Sequence, residues 1–140
     1  MTTLAANVKR AFEFNEDPVL NDVPMIAADI VYEGAAVGDS AGTARPLVAA
    51  DNFLGFAVAK ADNSLGAASA INCRVSEQGR VKLSVTGVVD ADDVRETVYA
   101  DDDNSFTLTN SSNSAIGKIV RWVSGTTCIV QYEAVQKRSI

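Results

Sequence analysis

Two carboxylate clusters are the first residues in this chain that could carry chemistry: "DADD" at residues 90–93 and "DDDN" at residues 101–104. A calcium loop needs alternating oxygen ligands, glycine at its sixth position and glutamate at its twelfth. Counted from Asp101, those places hold Phe106 and Ser112, so the pattern fails. Paired acids also hydrolyse glycosides, but these lie in turn-like segments without aromatic platforms and read as exposed strand-end turns. The chain has no histidine, which removes the commonest general base and the commonest metal ligand together. Its serines therefore lack an ordinary triad partner, and no G-x-S-x-G elbow, P-loop or G-x-G-x-x-G occurs. No catalytic residue, cofactor or metal site is expected. Two cysteines, Cys73 and Cys128, cannot build a zinc site alone. They sit in strand-like runs with Ile71, Val75, Val130 and Tyr132 on the same faces, so both are expected reduced and buried.

The elements around these residues read as strands. In "GRVKLSVTG", Val81, Leu83 and Val85 face one way and Arg80, Lys82, Ser84 and Thr86 the other. "AINCRVS" alternates in the same manner, and "EQG" between the two runs predicts a hairpin turn at residues 77–79. "FLGFAVAK" predicts Leu54, Phe56 and Val58 on one face, and "SFTLTN", "AIGKIVRWVSG" and "TTCIVQYEA" supply three more runs, the last two joined at Ser124 and Gly125. Short strands separated by Asp, Asn, Ser and Gly have the rhythm of a sandwich or barrel. The fold class is all-β: a small barrel or sandwich-like domain over residues 29–140 with an extended N-terminal arm over residues 1–28.

The arm has no clear period. "LAANVKRAF" fits a short helix with Leu4, Val8, Ala11 and Phe12 on one side, while "AFEFNED" fits a strand with Phe12 and Phe14 on one face. Pro18 and Pro24 then bias their neighbours toward extended backbone. Such a segment needs something to lie against, either the domain itself or a partner.

Composition narrows the function classes. The 140 residues carry a net charge of −6, which argues against nucleic acid and anionic membranes as partners. No apolar run is long enough to span a bilayer. The N-terminus places its charges after a weak apolar patch, the reverse of a secretory signal, so a cytosolic start is expected. Trp122, beside Arg121 and Lys118, is either a sheet-packing residue or an interface anchor.

A glycine-rich approach, "GAAVGD…GTARP", leads into Leu54, Gly55, Phe56 and Ala57; then come Thr86, Gly87 and Val88, the pair Val98 and Tyr99, and the pair Ile116 and Gly117. This order of motifs, along about residues 29–134, resembles the capsid cement, or head decoration, proteins of tailed bacteriophages. The resemblance implies a structural virion protein, made in the host bacterial cytoplasm and bound to the outer surface of the phage head. There it would form trimers, contact the major capsid protein and hold neighbouring capsid subunits against internal DNA pressure. On this reading Leu4, Val8, Phe12 and Phe14 are the expected capsid contacts, with the arm mobile until bound. Trp122 and Arg121 are the expected contacts between copies. Two other classes share the composition: a tail-tube or fibre-associated β-domain, and a glycan- or calcium-binding β-module.

Overall fold

The computed structural model describes residues 3–13 and 19–134. Twelve strands are present among them: β1 (Phe12–Glu13), β2 (Val19–Pro24), β3 (Asp29–Val31), β4 (Ala36–Ser40), β5 (Thr43–Pro46) and β6 (Asn52–Ala57) come first. They are followed by β7 (Ala61–Asn63), β8 (Asn72–Thr86), β9 (Thr97–Asp102), β10 (Ser105–Thr107), β11 (Ser114–Ser124) and β12 (Thr127–Glu133). A single 3₁₀ turn at Ala91–Asp93 is the only helical piece among the described residues, so the fold is all-β.

Strand β8 organises everything. Its second half starts a closed five-stranded barrel in the order β8, β12, β11, β9, β10, with β10 returning to β8 in parallel. Its first half pairs with β6, which continues to β4 and β5. On the opposite edge of β8 lie β2 and then β1. Two apolar cores result. The barrel interior holds Val81, Leu83, Val85, Ile116, Ile119 and Val130 around Phe56 and Tyr132. The second core gathers Val23, Met25, Val31, Val37, Ala44 and Val75 under the first half of β8.

The predicted hairpin at residues 77–79 does not form. Residues 72–86 run as one strand, because both halves are hydrogen-bonded along both edges and Gly79, at φ +154°, continues it. Gly79 lies where β8 exchanges β6 for β12 on one edge and β2 for β1 on the other. The glycine signal was real, but tertiary pairing outweighed local turn chemistry. The face assigned to β6 also changes. Gly55, at φ +126°, breaks the alternation, so Phe53 and Phe56 share the barrel core while Leu54 packs on the second core.

The N-terminal segment is extended, and the surface it lies against is the domain itself. Leu4 packs on the second core and Phe12 on the first. The Phe12 ring makes edge contacts with Phe56 and Tyr132 at centroid distances of 6.1 and 6.2 Å. Phe12 and Glu13 pair with Val81 and Arg80, and the Lys82 N–H donates to the Ala11 carbonyl at 2.9 Å. Residue 28 is thus no break in hydrogen bonding, since β2 and β1 belong to the sheet built on β8.

Candidate functional site

The "DDDN" cluster is not an exposed turn. Asp102 and Asp103 are buried, 6 % and 1 % exposed, where β9 turns into β10. The Asp103 carboxylate accepts the Leu4 N–H at 3.2 Å, and Ala36 N–H donates to the Asp103 carbonyl at 2.9 Å. Arg10 enters the same place from the N-terminal segment. Its Nη2 donates to the Asn104 side-chain oxygen at 2.8 Å and its Nε to the Gly34 carbonyl at 2.9 Å. The guanidinium also lies over the Phe106 and Phe56 rings at 5.5 and 5.8 Å. The strap closes over Gly34, where a methyl group would fall 2.2 Å from the Val8 carbonyl oxygen. These residues lock a terminus onto a barrel. They hold no water-facing acid pair suited to hydrolysis.

Burial pushes the Asp103 carboxyl up to about 6, with Asp102 raising it further, while the Leu4 N–H and Arg10 pull it down. A carboxyl raised in the folded state binds its proton more tightly there than in the unfolded chain. Its burial therefore costs nothing below about pH 4, and the cost appears as pH rises through about 6. Asp103→Asn keeps an oxygen for Leu4 and removes the charge. Thermal melts should show it more stable than the parent by ~1–2 kcal/mol at pH 8, with the gap closing by pH 4. A gap that is constant across this range would show that Asp103 carries no such linkage.

The "DADD" cluster behaves as expected. Asp90 and Asp92 are exposed, and Asp90 and Asp93 form a capping box on the 3₁₀ turn. Among the described residues, no group of three or more His, Cys, Asp or Glu side chains is placed to hold a metal ion. Cys73 and Cys128 are both free and buried, in the second core and the barrel core respectively. Desolvation pushes their thiols up to about 12 and 11, so neither is a nucleophile at neutral pH. Ile71, placed with Cys73 on one face by the sequence pattern, is instead exposed at the strand's edge.

The residues expected to make contacts are used internally. Leu4 and Phe12 face the chain's own cores. The Val8 N–H donates to the Glu33 carbonyl at 2.8 Å. Phe14 lies outside the described residues. Trp122 packs partly on the barrel core, and its indole N–H donates to the Gly125 carbonyl at 3.0 Å. Arg121 reaches back to Glu13 with a 2.6 Å ion pair, tying β11 to β1. The structure brings Phe12 and Trp122 to the same core and keeps neither free.

What stands free is a segment the sequence did not single out. Between β7 and β8, residues 64–71 expose Leu65 completely, with Ala67, Ala68, Ala70 and Ile71 beside it. An apolar loop of this kind normally folds inward or moves. Here the backbone is pinned. Ala28 N–H donates to the Gly66 carbonyl at 3.2 Å, Ser69 N–H to the Met25 carbonyl at 2.8 Å, and Met25 N–H to the Ile71 carbonyl at 2.9 Å. From beneath, the buried Asn63 amide donates to the Ile26 and Ala67 carbonyls, each at 2.9 Å. The one hint in the sequence is that "SLGAASA" punctuates like a turn yet carries almost no polar side chain.

No described helix is long and apolar enough to cross a membrane. No protein-family model matches the chain, and no curated protein matches it.

Proposed function

We propose that this chain is a structural virion protein. On this reading it binds the exterior of an assembled phage head as a trimer, through contacts with the major capsid protein, and holds neighbouring capsid subunits together against the pressure of packaged DNA. The order of the short motifs along residues 29–134 supports the reading, as does an all-β body with two tight cores. The observation that carries it furthest is the loop at residues 64–71. A leucine that is 101 % exposed on a backbone held by hydrogen bonds is an adhesive feature, because its burial on a partner needs little further ordering. Modest contacts of this type act together when repeated over a lattice.

The test is direct. Purified protein incubated with undecorated expanded heads should bind saturably, and Leu65→Ser should reduce occupancy at least roughly fivefold while leaving the melting temperature unchanged. Absence of saturable binding by the parent protein would remove the head-binding reading. Full occupancy by the Leu65→Ser variant would remove the loop from it.

A further inference from the structure

Five cations, Arg80, Lys82, Arg95, Lys118 and Arg121, lie on one outer face of the barrel, where Glu13 stands beside Arg80 and pairs with Arg121. The register aligns Thr97, Lys118, Gln131 and Arg80 in a row across β9, β11, β12 and β8. A neighbouring row places Arg121, Ile129 and Lys82 side by side. Arg80 and Lys82 point outward because Val81 and Leu83 fill the interior. At the end of the first row a cleft of about 560 Å³ opens, lined by Arg95, Thr97, Lys118 and Gln131 and by one acid, Glu133. Gly117 keeps the floor low, since a methyl group there would fall 2.0 Å from the Gln131 carbonyl oxygen.

One observation makes this face more than a solvated surface. Arg80, Lys82, Arg95 and Lys118 form no ion pair with another described residue, and neither does Lys60, which lies over the Tyr32 ring, whereas Lys9, Arg45, Arg74 and Arg121 each have an acidic partner. The chain has 18 acids against 12 cations, so unanswered cations collected in one place need a reason. Arg95 is held at φ +79°. Its N–H donates to the Ile119 carbonyl at 2.8 Å, and the Ile119 N–H donates to the Glu96 carbonyl at 3.1 Å, which pins the backbone in that conformation. Glycine would occupy it without strain, as it would at the other non-glycine residues of positive φ, Ala28, Ala41, Ala50, Ser69, Ser111 and Ser112.

We propose that this cleft and the basic row beside it bind an extended acidic segment of a protein partner, with carboxylates on Arg95, Lys118 and Arg80. Lys118 and Arg80 stand two strand spacings apart, roughly 10 Å, which an extended peptide covers in about three residues. Charge complementarity selects the occupant: a short run of carboxylates meets the free cations, whereas a long phosphate backbone is opposed by the net charge of −6. The site goes beyond head binding and stands or falls apart from it, because its test uses a peptide alone.

A fluorescein-labelled hexaglutamate peptide, titrated with the full chain and followed by anisotropy, should bind saturably and more weakly as salt rises. Lys118→Glu and Arg95→Glu should each weaken binding roughly tenfold, and Lys60→Glu, on another part of the surface, should change it by less than about twofold. Arg95→Gly separates binding from folding: it should melt at or above the parent temperature and still lose most of the affinity. Lack of saturable binding, or an equal loss from Lys60→Glu, would overturn the proposal. So would displacement of the peptide by a single-stranded oligonucleotide at lower concentration than by unlabelled hexaglutamate, an outcome that assigns the face to nucleic acid. Failure to decorate heads alongside intact peptide binding would count against the proposed function and leave this site standing.

Discussion

Removal of residues 1–13 should unfold this protein or lower its melting temperature by well over 10 °C, although no regular element longer than two residues lies among the described residues of that segment. Phe12 supplies an aromatic face to a cluster in which Phe56 and Tyr132 meet at 4.9 Å. Truncating a buried phenylalanine costs about 3–5 kcal/mol. Phe12 is only partly buried, so Phe12→Ala alone should cost ~3 kcal/mol and roughly 10 °C. The full deletion does more. It strips Arg10 from the Phe56 and Phe106 rings, and it leaves the Asp103 carboxylate and the Gly34 carbonyl without the donors they have in the native fold. It also uncovers the parts of the two cores on which Leu4 and Phe12 pack. Circular dichroism melts of the deletion and of Phe12→Ala are sufficient measurements. A deletion that melts within a few degrees of the full chain would mean the segment is a removable strap.

Gly55→Val should abolish folding. Position 55 combines φ +126° with a backbone approach so close that a methyl carbon would lie 2.2 Å from the Ser76 carbonyl oxygen. Neither atom set is free to yield: Ser76 is in β8 and donates to or accepts from the Tyr132 hydroxyl at 2.8 Å, inside the barrel. Valine adds a branched side chain at a positive φ as well. The expected loss is about 4 kcal/mol or more, enough to exhaust most of a marginal stability. Gly42→Ala is the matched control. It also has a positive φ, +92°, but nothing lies within 4 Å of the added methyl, so only the backbone cost of ~1 kcal/mol should appear. Equal effects at the two positions would show that backbone conformation, and not the β6–β8 contact, dominates at Gly55.

The sequence by itself determined the fold class, because alternation is a local property. Val81, Leu83 and Val85 against Arg80, Lys82 and Ser84 declare a strand with one wet face in whatever context they occur. Burial of both cysteines followed from the same periodicity. Pairing partners could not be read this way, since hydrogen bonds along a strand edge carry no side-chain signature. Gly79 therefore lies inside a fifteen-residue strand and not in a hairpin turn. The glycine at position 55 meant a bulge that sends Leu54 and Phe56 to different cores. The candidate sites were decided almost wholly by tertiary structure. Asp103 looks like its acidic neighbours in the sequence and is buried only because Leu4 and Arg10, some 99 and 93 positions earlier, close over it. Lys118 and Arg80 are far apart in the chain and share a face only when β12 lies between β8 and β11, and Arg95 joins Lys118 only through its bond to the Ile119 carbonyl. Charge and hydrophobicity are written residue by residue, but a surface exists only after distant strands are set side by side.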